Sequence, residues 1–218
     1  MDVKETQMDI NKFAAEAHKN AVEHGFWEEE LDISEVIALI HSEWSEALEE
    51  YRAGRPMLWY ECEEADQETL VCSPKDEYDC LNFGKEESCA YRSKKPEGIA
   101  VELIDGCIRI FDYFGKEDVS YRAIGTPKQL MEVAPEETFK IPLPRLVANL
   151  HLKTAQAYQL IKTAQDNDTQ YKRGIAILYE AISVACCWIR NNGYYPEAIM
   201  LKKHEYNKTR PYKHGKAL

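Results

Sequence analysis

No stretch of the chain approaches the roughly 20 consecutive apolar residues needed to cross a bilayer. The opening MDVKETQMDINKF also lacks the basic start, apolar core and cleavage site of a secretory leader. These absences predict a cytoplasmic protein with no membrane partner. Basic residues are in deficit, 27 Lys and Arg against 38 Asp and Glu, for a formal net charge of −11. Such a surface repels a phosphate backbone and holds no long basic groove, so no nucleic-acid polymer is expected as partner. An anionic ligand would have to be held locally, by a metal ion or a small basic cluster. The seven cysteines are odd in number, and three of them, Cys107, Cys186 and Cys187, lie in apolar helical stretches, which argues against a secreted disulfide scaffold.

What is present is mostly helical patterning. At 218 residues the chain can form one sizeable helical domain or two small, closely packed ones. Apolar positions recur with helical spacing over 8–24 and 33–53, and Asp32 followed by Glu35 reads as a capping box for the second run. Gly54 and Pro56 end that run. Residues 55–97 then turn polar, acidic and Cys-rich without a helical period, and read as an insertion. A third helix is expected from 98 to about 115. Pro127, Pro135 and Pro142 make a continuous helix over 125–142 improbable, so that segment reads as a connector. Helices are expected again at about 144–165, 171–192 and 196–207. The fold class expected is all-α.

IALIHSEWSEA from Ile37 aligns without gaps on VANLHLKTAQA from Val147, and GIAV from Gly98 on GIAI from Gly174. The chain therefore reads as a duplicated helical hairpin: residues 1–124 as a first copy carrying the insertion, 125–218 as a degenerate second copy. Shared helical periodicity alone can also produce such matching. The differences between the copies say more. Glu43 and Glu46 stand opposite Lys153 and Gln156 in the alignment, and Glu102 and Asp105 opposite Leu178 and Ala181, so the acidic chemistry belongs to the first copy.

Glu43 and Glu46 are three residues apart, one turn along one helix face, and Glu102 and Asp105 repeat the spacing. Either pair alone reads equally as a solvated face. Two such pairs on consecutive apolar helices bring four carboxylates to a helix interface, where they repel unless a cation intervenes. All-oxygen ligands of high charge suit Mg²⁺, or Mn²⁺. A di-iron bundle would need Glu-x-x-His ligands, which neither Glu43 nor Glu102 begins. Glu50, two turns from Glu43, reads as a ligand of a second metal or water, or as a solvated glutamate.

HSEWSEALEEYRAG from His41, EGIAVELIDGCIRIFDYFG from Glu97 and KKHEYNKTRPYKHGK from Lys202 together resemble the MazG-like all-α nucleoside triphosphate pyrophosphohydrolases. The resemblance implies Mg²⁺-dependent hydrolysis of a nucleotide between its α and β phosphates, to the monophosphate and pyrophosphate. It makes Glu43, Glu46, Glu102 and Asp105 the metal and catalytic residues, and Lys203, Asn207 and Arg210, with His214 and Lys216, the phosphate contacts. Without the resemblance the same basic residues read as a mobile solubilising tail. Related readings are a pyrophosphohydrolase acting on dUTP or phosphoribosyl-ATP, and a catalytically inactive module that binds nucleotides or a protein partner. The first copy keeps the carboxylates and the second the basic tail, so one chain is expected to act as a pseudo-dimer with a single split site, as a monomer or within a homodimer.

Cys62, Cys72, Cys80 and Cys89 all fall in the insertion, where four thiolates could clamp Zn²⁺ or remain free on an adaptable lid. Cys107, Cys186 and Cys187 lie in apolar helices and read as small buried hydrophobes. Trp27, and less so Trp44, are candidates for stacking on a nucleobase, with core packing as the plainer fate.

Overall fold

The computed structural model describes residues 8–63, 69–72, 95–119 and 140–215. Their body is built from six helices: α1 (Ile10–Glu23), α2 (Ile33–Arg52), α3 (Ile99–Lys116), α4 (Leu143–Lys162), α5 (Asp168–Asn191) and α6 (Pro196–Lys208), followed by a 3₁₀ turn at Tyr212–Gly215. Helix α2 starts as its sequence dictates. The Asp32 carboxylate accepts from the Ser34 amide while Glu35 reaches back to the Asp32 amide, 2.8 Å in both cases, so two orphan donors of the first turn are satisfied. Proline stands in the first turn of both α4 and α6, where its missing N–H costs nothing.

The insertion leaves the helical body at a closed neck. Trp59 and Glu97 exchange both backbone hydrogen bonds, at 2.9 and 3.0 Å, so the chain departs and returns at adjacent points. Just beyond the neck, the antiparallel hairpin of β1 (Tyr60–Glu63) and β2 (Thr69–Cys72) sets Tyr60 opposite Cys72 and Cys62 opposite Leu70. Strand pairing was not legible in the polar, period-free composition of this segment. The side chains of Cys62 and Cys72, and Cys80 and Cys89 altogether, lie outside the described residues, as does most of the 125–142 connector. On the return side Gly98 adopts φ +112°, and a side chain there would meet the Pro56 and Met57 carbonyls at 2.6 and 2.9 Å. Those same carbonyls take the first amides of α3, from Ile99 and Ala100, in place of a side-chain cap.

Helix α3 is the centre of the molecule. It packs against α1, α2, α5 and α6, and Val101, Leu103, Ile104, Cys107, Ile110 and Phe111 are completely buried. The remaining large contacts are α4 on α5 and α2 on α4. One continuous apolar core runs through all six helices. The helices that align in sequence therefore touch each other: α2 lies on α4, and α3 on α5.

Among the described residues, two side-chain hydrogen bonds join α2 to α4, and both pair residues that the alignment matches. His41 and His151 bring their Nδ1 atoms to 2.6 Å, and the indole Nε1 of Trp44 donates to Thr154 Oγ1 at 3.0 Å. Trp44 is completely buried, so the expectation that it could stack on a nucleobase is corrected. Its ring instead covers Gly106 of α3, where a Cβ would come within 2.4 Å of the indole. Cys107 and Cys187 are buried as expected, with Cys186 partly so. No described helix is long and apolar enough to cross a membrane.

Candidate metal centre

Three of the four carboxylates singled out in the sequence converge where α2 meets α3. Glu43, Glu102 and Asp105 each offer an oxygen within 4.8 Å of the others, the one such group of potential metal ligands among the described residues. Convergence follows from the helical spacing: Glu102 and Asp105 share the α3 face that looks at α2, and Glu43 leaves α2 beside buried Trp44. Glu46 lies at the rim. It is exposed, accepts from Ser42 Oγ at 3.1 Å and stands outside the group of three, although its charge is felt by Glu102.

Two cations close the cluster. Arg109 Nε donates to Glu43 Oε1 at 2.6 Å, and Lys203 Nζ of α6 donates to Asp105 Oδ2 at 2.7 Å. Lys203 is 1% exposed, an unusual state for a lysine, which requires a buried counter-charge. Burial works against its charge, and Asp105 and Glu102 overcome that and raise its pKa above the usual lysine value. Arg109 is held charged in the same way, by Glu43 above all. Burial, then the charge of Asp105, pushes the Glu102 carboxyl up to about 8. Asp105 is also raised, by burial, with Lys203 acting against the shift. The resting site thus balances two strong cations against three carboxyls, one of which holds its proton near neutral pH.

The donor set fits a hard divalent cation. Every ligand is a carboxylate oxygen, the Asp105 Oδ1 atom is buried with no hydrogen-bond partner, and Glu102 sits in surroundings whose negative charge a cation would relieve. Mg²⁺ binds through a few carboxylates, with waters and phosphate oxygens completing its coordination, and three carboxylates match the protein's share of such a set.

Around this cluster the tail and the aromatic loop take up defined positions. Asn207, one turn beyond Lys203, is buried with its Oδ1 unpartnered. Arg210 is half-buried and its carbonyl accepts from His24 Nε2 at 3.0 Å; the Lys213 amide donates to the His24 carbonyl at 2.8 Å, and Tyr212 bonds Glu28. The segment is thereby tied to the loop after α1, and the reading of a free solubilising tail is corrected through Lys213. The backbone of His214 belongs to the 3₁₀ turn, while its side chain and Lys216 lie outside the described residues. Trp27 is half-buried, with Nε1 donating to both Asp112 oxygens at 2.9 and 3.1 Å and its ring between His18 and the Lys116 ammonium. Its polar edge is therefore committed to α3. Glu50 accepts from Trp59 Nε1 at 2.8 Å, which gives it a structural partner at the neck of the insertion.

Arg109 and Asp112 were missed in the sequence. They continue the face begun by Glu102 and Asp105 at spacings of three and four, so the signal was present as a run of four charged residues on one side of an otherwise apolar helix. Comparison with protein-family models, with curated proteins and with solved structures yields no match.

Proposed function

We propose that the chain is a Mg²⁺-dependent nucleotide pyrophosphohydrolase of the MazG-like kind, cleaving a nucleoside triphosphate between the α and β phosphates. The observation that carries this reading is the convergence of Glu43, Glu102 and Asp105 within 4.8 Å, next to a buried lysine contributed from the far end of the chain. A bound Mg²⁺ would activate a water and neutralise charge growing on the phosphate oxygens. Glu43, Glu102 and Asp105 would hold it, and Glu102 would have to give up its proton to serve as a ligand. Lys203 and Arg109, which rest on Asp105 and Glu43, turn to the phosphates as positive partners, and Glu46 at the rim orients water. Asn207 and Arg210, on the same helix and the turn beyond it, contact phosphate or sugar.

The paired copies support the same proposal. His41 with His151 and Trp44 with Thr154 are matched positions in the alignment and touch in space, the behaviour of residues near a two-fold axis. On this reading the chain is an internal pseudo-dimer with one site, the metal ligands and Arg109 from the first half and the other phosphate contacts from the second.

One observation favours a second reading. Arg109 and Lys203 already pair with two of the three carboxylates, as in a purely structural ion network. A nucleotide-binding module without activity would keep those pairs. The two readings separate on product analysis with Mg²⁺ and a panel of canonical and modified nucleoside triphosphates. Monophosphate and pyrophosphate, abolished by Asp105→Asn, establish the enzyme; inert protein that still binds nucleotide establishes the module. Diphosphate and inorganic phosphate as products would contradict the proposed bond cleavage.

A further inference from the structure

The contact between His41 and His151 does more than mark where two helices meet. Its Nδ1 atoms are 2.6 Å apart, the ring planes differ by 14°, and the ring centroids are separated by 4.9 Å. The centroids are thus farther apart than the nitrogens by about two ring radii. Only an edge-to-edge arrangement, with each nitrogen pointing along the line to the other, satisfies both distances. A single proton can occupy that line, since two N–H groups cannot face each other at this separation.

We propose that His41 and His151 form a second metal site, for a borderline transition-metal dication such as Zn²⁺ or Ni²⁺, that bridges α2 and α4. Imidazole nitrogen suits these ions and is a poor ligand for Mg²⁺, whereas the carboxylate cluster has the opposite preference. His41 is two residues from Glu43 on α2, so it points to a different side of the helix and the two centres do not share ligands. Both imidazoles are half-buried, which leaves the pair open to an ion and to the waters that complete its coordination.

Two further observations favour a built site over a chance meeting. The helices are held together one turn along, where buried Trp44 bonds Thr154, and Thr154 in turn bonds the Leu150 carbonyl of its own helix. Metal–nitrogen bonds of about 2.0–2.1 Å at a tetrahedral angle need nitrogens about 3.3 Å apart. From 2.6 Å the pair has to open by about 0.7 Å to reach that separation. In the alignment histidine stands at both positions, whereas the acidic residues that follow it, Glu43 and Glu46, stand opposite Lys153 and Gln156.

Ni²⁺ titration by calorimetry tests the site on the full chain, with wild type, His151→Asn and Asp105→Asn. Asparagine can still bond His41 Nδ1 and so keep the helices together, but it removes the metal-binding nitrogen. The expected result is one Ni²⁺ per chain at micromolar affinity, weakened at least tenfold by His151→Asn and unaltered by Asp105→Asn. No uptake by wild type, or equal affinity in His151→Asn, overturns the proposal and leaves the pair as a shared-proton contact. Should His151→Asn fail to fold, the Co²⁺ spectrum of wild type decides. Visible ligand-field bands of a nitrogen and oxygen site support it, whether or not the insertion cysteines add a thiolate band, and the absence of such bands refutes it. None of these outcomes bears on pyrophosphate release, which depends on the carboxylates.

Discussion

At the scale of single residues, the protonation of Glu102 is the most informative property of the site. Its pKa lies at about 8 in the folded chain against an ordinary value of 4.5. A carboxyl raised on folding contributes stability that is present below the unfolded value and lost as pH rises through the folded one. Metal-free protein should therefore lose stability between about pH 5 and pH 8. Glu102→Gln should flatten that loss and raise Tm at pH 8 by about 3 °C or more, read from thermal melts in chelator. Mg²⁺ affinity should climb over the same window, because the ion competes with that proton. Lys203 makes the complementary prediction. Replacing it by alanine strands Asp105 in the interior, and should cost about 3–5 kcal/mol in denaturant unfolding. Lys203→Ala with Asp105→Asn should recover much of the loss. Helical spacing alone does not reveal the burial of Lys203 on which this prediction rests.

At the scale of elements, helix ends were more legible than helix partners. Asp32 and Glu35 announced the start of α2, and helical spacing brought Glu43, Glu102 and Asp105 to one interface while leaving Glu46 at the rim. The hairpin beside Trp59, the Arg109 bond to Glu43 and the path of the tail depend on long-range contacts, and no local pattern encodes them. Trp44 illustrates the difference. Its position between two glutamates drew attention to chemistry, yet its ring is the wedge that sets the distance between α2, α3 and α4. Gly106→Ala would push a methyl into that ring and should destabilise the protein by about 1–3 kcal/mol. Trp44→Phe, which keeps most of the apolar volume and loses the Thr154 bond, should cost about 1 kcal/mol beyond its packing loss. Urea unfolding of both variants checks these values.

At the scale of the whole molecule, the all-helical class was legible because periodic apolar positions recur along the chain, and α3 with its surroundings accounts for how the site is held. Glu43 comes from α2, Glu102 and Asp105 from α3, and Lys203 from α6, nearly a hundred residues after Asp105. Sequence alignment of the two halves suggested their kinship, but only packing shows α2 on α4 and α3 on α5 sharing one core. Residues 1–124 expressed alone should expose the α3 face that α5 and α6 cover, and should be unfolded or aggregated by circular dichroism and light scattering. Coexpression with 125–218 should restore a folded complex. The central claim is that Glu43, Glu102 and Asp105 are a hard-cation centre, and Mn²⁺ binding followed by electron paramagnetic resonance tests it most directly. Wild type should bind Mn²⁺ competitively with Mg²⁺, Glu43→Gln and Asp105→Asn should each weaken binding at least tenfold, and Glu50→Gln should not. Binding that is absent in wild type, or that persists unchanged in Asp105→Asn, would contradict the account.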